Sequence, residues 1–128
     1  MPSFTSIMLV GLGGFLGSVA RYIVSGLVVT WLKDPWFPYG TLAVNVVGCL
    51  LIGVLAGLAD TRDILSTEVR LLLVVGILGG FTTFSAFGNE TMALVRNGAF
   101  IGALTNVALQ VVLGLLAVWI GYAVSHAL

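Results

Sequence analysis

The chain alternates long apolar runs with short polar links. The apolar runs cover residues 4–31, 39–59, 69–95 and 99–125, and the links at 32–38 and 60–68 hold most of the charged side chains. A helix needs about 20 residues, rising roughly 1.5 Å each, to cross a hydrocarbon core of about 30 Å. Each run is long enough. The pattern therefore predicts an all-α integral membrane protein, with four transmembrane helices in a single domain over residues 1–128.

Composition supports a lipid environment. Hydrophobic residues make up 59% of the chain and charged residues 8%, against about 25% charged residues in an ordinary soluble domain. Residues 1–7 contain no Lys or Arg, so they lack the basic start of a signal peptide, and we expect the first span to remain in the mature protein. The sequence has no Ser/His/acid set or phosphate loop, so we predict neither an enzyme nor a nucleic-acid-binding protein.

The thiol and imidazole groups predict little chemistry. Cys49 is the one cysteine, which excludes an internal disulfide, and His126 is the one histidine. A single thiol and a single imidazole do not make a Cys/His metal site. We interpret Cys49 as a small packing residue and His126 as a residue near the water at the end of the chain.

Basic residues give no clear orientation. In a four-span chain, Arg62 and Arg70 lie on the side of both termini, and Lys33 and Arg96 lie on the other. The two sides carry equal numbers of Lys and Arg residues, so the positive-inside rule favours neither orientation. Two interpretations follow: copies insert in both orientations and pair as an antiparallel dimer, or an insertion factor or Arg21, inside the first span, decides.

Small residues recur at helix-packing intervals. Glycines four apart let helix backbones approach closely in lipid, where packing drives association. Four closely packed helices leave no lumen, so a transport path is expected where copies meet. The pairs are Gly13 and Gly17, Gly53 and Gly57, Gly76 and Gly80, and Gly98 and Gly102.

The third run contains an unusual polar stretch, GGFTTFSAFGNE at residues 79–90. Adjacent glycines and hydroxyl residues disfavour a continuous helix, and any backbone group freed at membrane depth needs a partner. One interpretation is a broken helix whose carbonyl oxygens bind a small alkali cation. The other is a kink held by Thr and Ser hydroxyls that bond back to the helix.

Several side chains in the spans suit an anion. Phe84 and Phe87 are three apart and share a face if that segment is helical. Phenylalanine edges are electropositive and attract anions, although aromatic stripes are often simple packing. Asn45 brings two N–H donors to the middle of the second span, and Asn106 and Gln110, four apart, face one way. Polar groups at this depth are functional or join helices by hydrogen bonds.

Two ionisable residues lie inside spans. Glu90 is late in the third span, and Arg21 is in the first. Either side chain can reach interfacial water, and Arg21 can also cap the carbonyls of a neighbouring helix end.

Three motifs, in order, resemble the Fluc family of bacterial fluoride channels, also called CrcB proteins. They are GGFLGSVAR at 13–21, GTLAVN at 40–45, and GGFTTFSAF at 79–87 followed by Glu90. The resemblance implies a dual-topology homodimer in the bacterial inner membrane. Its two parallel pathways would passively release fluoride that entered the cell as hydrofluoric acid.

The resemblance also implies roles for individual residues. Main-chain oxygens of Gly79 and Thr82 would hold a structural sodium ion between the subunits, and Arg21 would be structural. The fluoride pathway would comprise Asn45, Phe84, Phe87, Thr83, Ser85, Glu90, Asn106 and Gln110. How a carboxylate at Glu90 helps an anion pass does not follow from the sequence.

Two other functions compete with a channel. A small proton-coupled multidrug exporter of dual topology needs a deep carboxylate, for which Glu90 is the one candidate, and the first span has no acid. A non-transporting subunit that only packs against a partner gives no reason for the polar stretch at 79–90.

Overall fold

A computed structural model describes residues 1–33 and 36–128 of the chain. Asp34 and Pro35, in the predicted link 32–38, lie outside the described residues. The described part contains four helical segments long and apolar enough to cross a membrane. They are α1 (Phe4–Leu32), α2 (Tyr39–Arg62), a third span (Thr67–Arg96) and α6 (Phe100–Ala127). The predicted all-helical membrane architecture is confirmed.

The helices extend slightly beyond the predicted apolar runs. The second helix continues through Asp60 and Thr61 to Arg62, because a helix needs no apolar residues once it has left the hydrocarbon. The third span begins at Thr67, where the Ser66 side chain caps the first turn by accepting from the backbone N–H of Val69. Apolar content marks where the lipid is, while caps and turns mark where the helix ends.

The first span packs closely on the third. A Cβ at Gly13 would lie 2.8 Å from Gly76 Cα, and one at Gly17 would overlap the Ile77 carbonyl oxygen. A Cβ at Gly80 would lie 2.5 Å from the Gly14 carbonyl oxygen. These glycines therefore bring two backbones into direct contact, as small residues do in membrane bundles.

The second span packs along the last one in the same way. A Cβ at Gly53 would overlap the Val118 carbonyl oxygen, and one at Gly121 would overlap that of Leu50. The predicted pair of Gly98 and Gly102 is wrong in part. Gly98 has φ +76° and lies in the turn before α6, so its missing side chain permits a left-handed backbone rather than helix contact.

The third span is irregular. It starts as α3 (Thr67–Arg70), is wound as a π-helix over Leu71–Leu78, and continues as α4 (Gly79–Phe81). Thr82 and Thr83 then have extended backbones before α5 (Phe84–Arg96) begins. The span bends at these two threonines, while Gly79 and the Gly80 that contacts α1 are both helical.

Candidate functional site

The bend is held by one side chain of the second span. Asn45 Oδ1 accepts from the Thr83 backbone N–H at 2.9 Å, and Asn45 Nδ2 donates to the Thr83 carbonyl oxygen at 3.0 Å. The Thr83 hydroxyl caps α5 by accepting from the Ala86 N–H at 3.2 Å, and it lies 3.4 Å from the Ser85 hydroxyl. The Thr83 N–H, the Thr83 carbonyl and the Ala86 N–H are thereby satisfied inside the bundle, as membrane depth demands.

These contacts redirect two backbone donors. In a continuous α-helix the Thr83 N–H would bond to Gly79 O and the Ala86 N–H to Thr82 O. Here both go to side chains, the first to Asn45 and the second to Thr83. The Thr82 hydroxyl bonds back to Leu78 O at 2.9 Å. The bend thus takes the usual helical donor from the carbonyls of Gly79 and Thr82.

A groove of about 370 Å³ opens beside the bend, which we call the amide groove. Asn45 Nδ2 also donates to Gln110 Oε1 at 3.0 Å, so α2, the bend and α6 meet there. Gly79 and Thr82 border the same groove. Besides these, it is lined by Gly48, Cys49, Ile52, Val74, Leu78, Thr83, Phe84, Phe87 and Val111.

The two phenylalanines form an edge-to-face pair in this groove. Phe84 and Phe87 have ring centroids 5.3 Å apart and planes at 68°. Phe84 is 82% exposed in the protomer, so it contributes almost nothing to the packing of this chain. The predicted common face is confirmed.

A second groove, of about 640 Å³, contains the acid, and we call it the carboxylate groove. Thr41 Oγ1 donates to Glu90 Oε1 at 2.8 Å, and Arg21 and Thr83 line the same groove. Thr83 belongs to both grooves. Thr83 therefore lies between the groove that contains Glu90 and the groove that contains the phenylalanine pair.

Asn106 makes a separate contact. Its side chain is fully buried, and Nδ2 donates to Thr91 Oγ1 at 2.9 Å. Thr91 in turn donates to the Phe87 carbonyl oxygen at 2.8 Å. Asn106 therefore braces α5 behind Phe87, whereas Gln110, four residues on, reaches Asn45.

The structure thus brings most of the predicted pathway residues to the bend or next to it. Sequence reasoning missed Thr41 and Thr91 as partners of Glu90 and Asn106. Thr41 had a usable signal, since it precedes Asn45 by four residues and so lies on the same face of α2. The arrangement offers amide and hydroxyl donors and aromatic edges, a combination that suits a small anion.

Comparison with known proteins adds an independent finding. A family model described as "CrcB-like protein, Camphor Resistance (CrcB)" matches residues 8–122. The chain is 48% identical over 116 residues to the "Fluoride-specific ion channel FluC" of Methylobacillus flagellatus, covering 91% of each chain. It is 51% identical over 120 residues to the FluC of Rhizobium etli strain CIAT 652, covering 94% of this chain and 95% of that one.

A more distant relative also matches nearly the whole chain. The protein of the same name from Flavobacterium psychrophilum is 39% identical over 123 residues, covering 96% of this chain and 98% of its own length. Its similarity extends over all four spans. This chain belongs to the CrcB family.

Proposed function

We propose that this protein is a fluoride-selective channel that passively exports fluoride across the bacterial inner membrane, and thereby prevents fluoride toxicity. The observation that carries the proposal is its identity, over nearly its full length, to proteins named fluoride-specific ion channels. Its four spans and bacterial relatives make it a multi-pass membrane protein. The relatives are channels and not enzymes, so no catalytic residue is assigned.

The chemistry of the bend supports an anion path. Fluoride is small and strongly hydrated, so a selective path must replace its water with close donors. The amide and hydroxyl side chains at the bend are those of Asn45, Gln110, Thr83 and Ser85, and the electropositive edges belong to Phe84 and Phe87. None carries a fixed positive charge, so each site is weak enough for the ion to leave, as conduction requires.

The remaining pathway residues lie on the other side of Thr83. Glu90 and its partner Thr41 are among the polar residues that line the carboxylate groove, and Arg21 lines the same groove as a structural residue. Asn106 supports the path through Thr91 and the Phe87 carbonyl.

The functional unit that we propose is an antiparallel homodimer. In each subunit the third membrane helix is interrupted at Thr82 and Thr83. The tied basic residues support dual topology, because neither orientation is favoured. The exposure of Phe84 supports a partner, because a phenylalanine on an ion path needs cover from lipid that the protomer does not supply. Two copies would give two parallel pathways.

A structural sodium ion at the centre of that dimer fits the residues present. Gly79 and Thr82 are among the residues whose carbonyls lose their helical donors at the bend. Carbonyl oxygens are hard ligands suited to a small hard cation. Bound there, sodium would supply positive charge and join the two subunits.

The sodium proposal has a test that does not depend on flux. Thermal unfolding of purified protein should shift upward in sodium relative to N-methylglucamine, by mass action on a folded-state site. The Thr82→Ser variant should keep the shift, because only its main-chain oxygen is used. An unfolding temperature independent of sodium would remove the ion from the proposal.

Fluoride efflux from liposomes tests the function itself. Purified protein is reconstituted with internal potassium fluoride, and efflux is followed by a fluoride electrode after valinomycin is added. A channel gives fast efflux that needs no proton gradient. The exporter alternative predicts proton-driven exchange of organic cations instead, and absence of both would leave only a packing subunit.

A further inference from the structure

The orientation of the Asn45 amide is fixed by the backbone it contacts. The Thr83 N–H can only donate, so the Asn45 atom facing it at 2.9 Å must be the oxygen. The other atom of the amide is then Nδ2, and it donates to Thr83 O and to Gln110 Oε1, each at 3.0 Å. Both hydrogens of Asn45 are therefore already used within the protein.

The orientation of Gln110 follows from that of Asn45. The Gln110 atom facing Asn45 Nδ2 must accept, so it is Oε1, and the remaining atom is Nε2. This Nε2 is buried and has no hydrogen-bond partner among the described residues. It carries two N–H donors, and Gln110 lines the amide groove with Phe84 and Phe87.

Unpartnered buried side-chain nitrogen and oxygen atoms are few in the described part of the chain. They are Glu90 Oε2, Asn106 Oδ1 and Gln110 Nε2. The Thr91 hydroxyl donates its hydrogen to Phe87 O, so it must accept from Asn106, and the Asn106 atom that faces it is Nδ2. The unpartnered Asn106 atom is therefore the oxygen. A carboxylate or amide oxygen repels an anion, so Gln110 Nε2 is the one free donor of the set.

We propose that Gln110 supplies the amide donor for the anion in this chain, and that Asn45 is a positioning residue which holds Gln110 and the bend in place. The proposal rests on the proposed function and refines it. A buried N–H pair with no acceptor is costly at membrane depth. An anion beside Phe84 and Phe87 removes that cost, and Asn45 polarises the same amide by donating to its oxygen.

One feature of the sequence makes the test direct: Gln110 is the only glutamine. Protein labelled with [¹⁵N-amide]glutamine therefore gives a single pair of side-chain amide proton signals. Titration of the detergent-solubilised protein with sodium fluoride should move these signals downfield, and sodium chloride at equal ionic strength should not. In a second sample, labelled with [¹⁵N-amide]asparagine, the side-chain amide of Asn45, assigned by its loss in Asn45→Ser, should move little.

The positioning role of Asn45 is tested in the same experiment. In Asn45→Ser the serine is too short to reach Gln110, so the fluoride-dependent shift of Gln110 should weaken by about tenfold or more in apparent affinity, as expected for a lost hydrogen bond to a charged group. A residue that only stabilised the fold would leave the Gln110 titration of the folded fraction unchanged.

Flux provides the second measurement. Gln110→Met keeps the length of the side chain and removes both donor and acceptor, while Gln110→Glu keeps the acceptor for Asn45 and removes the donor. Both should lower fluoride efflux per folded dimer by about tenfold or more. The matched control is Val112→Met, on the exposed face of α6 outside both grooves, which should conduct like the wild type.

The outcomes separate this inference from the proposed function. Wild-type efflux with an unmoved Gln110 signal, or with a moving Asn45 signal instead, overturns the assignment of the donor and leaves the channel intact. Near-wild-type efflux in both Gln110 variants overturns it as well. Absence of efflux in the wild type overturns the channel and this inference together.

Discussion

Adjacent glycines show that the third span has two different sides. Gly80 faces α1, where an added Cβ would lie 2.5 Å from the Gly14 carbonyl oxygen. For Gly79, the nearest atom to an added Cβ is Val74 O, at 3.8 Å. The packing of the protomer therefore requires a glycine at position 80, whereas no contact within the protomer requires one at position 79.

The same division holds along the span. The α1 side contains close backbone contacts at Gly13, Gly17, Gly76 and Gly80. The other side, which we call the open side, borders the amide groove with Gly79, Thr82 and the exposed ring of Phe84. Features with no structural use in the protomer are those to which we assign a partner and an ion. The residues that pack the protomer are therefore distinct from those to which we assign a role in the channel.

The largest expected effect is on the α1 side. Gly17→Ala places a methyl group on the Ile77 carbonyl oxygen, and because that atom is backbone the two helices must separate. We expect most of the folded protein to be lost, measured as the monodisperse fraction on size exclusion. The matched control is Gly14→Ala, where an added Cβ meets nothing within 4 Å. Equal yields for the two variants would contradict the comparison.

The next effect is at the bend. Asn45→Leu leaves the Thr83 N–H, the Thr83 carbonyl and Gln110 Oε1 without their partner, at a cost of about 1–3 kcal/mol for each buried group. Asn45→Asp keeps the acceptor for the Thr83 N–H, so it should be less destabilised, yet it should abolish flux because it can no longer donate to Gln110 Oε1 and hold that side chain in place. Thermal unfolding and efflux are measured together. An Asn45→Leu variant as stable as the exposed control Asn97→Leu would contradict the clamp.

A smaller effect on stability is expected on the open side. Gly79→Ala should leave the protomer at least as stable, because alanine is a better helix former than glycine by about 0.8–1 kcal/mol. Gly79→Val should lower the dimer fraction, since its branched side chain crowds a crossing partner. Gly80→Ala, one residue away, should instead destabilise the protomer. Dimer fraction is measured by cross-linking in detergent, and a normal dimer fraction in Gly79→Val would place the subunit crossing elsewhere.

The smallest effect is expected for Thr82→Ser. The serine hydroxyl can still donate to Leu78 O, and the main-chain oxygen assigned to sodium is unchanged. Stability and efflux should stay within about 0.5 kcal/mol of wild type, as for a substitution that removes no named interaction. A severe loss would mean that the threonine methyl group, which would meet a Cβ at Gly48, has a packing role of its own.

Much of the fold was predictable, because hydropathy over about 20 residues is set by the thickness of the bilayer. Helix ends were less predictable, since Ser66 caps one end and the polar turn at Asp60 to Arg62 extends another. The position of the bend was also beyond local reasoning. It depends on a hydrogen bond between Thr83 and Asn45, which are 38 residues apart in the chain.

In the site, too, features set by spacing along one helix were predictable, and contacts between helices were not. Phe84 and Phe87 were predictable as a pair because three residues apart on a helix means one face. The pairing of Glu90 with Thr41, and of Gln110 with Asn45, depends on how separate helices pack, which spacing along one helix cannot give. The residues of the proposed path were candidates from the sequence, and the packing of the helices decides which of their hydrogen-bonding atoms remain without a partner.

The central claim is that the open side of the third span conducts fluoride, and Phe84→Ile and Phe87→Ile test it most directly. Isoleucine keeps an apolar side chain and removes the electropositive ring edge, and Phe84 is 82% exposed in the protomer, so folding should be little affected. The measurement is the initial rate of fluoride efflux from liposomes, normalised to correctly assembled dimer. We predict a fall of about tenfold in each variant, with assembly unchanged. Normalised efflux at the wild-type rate in both variants would show that the rings are packing, and would contradict the account.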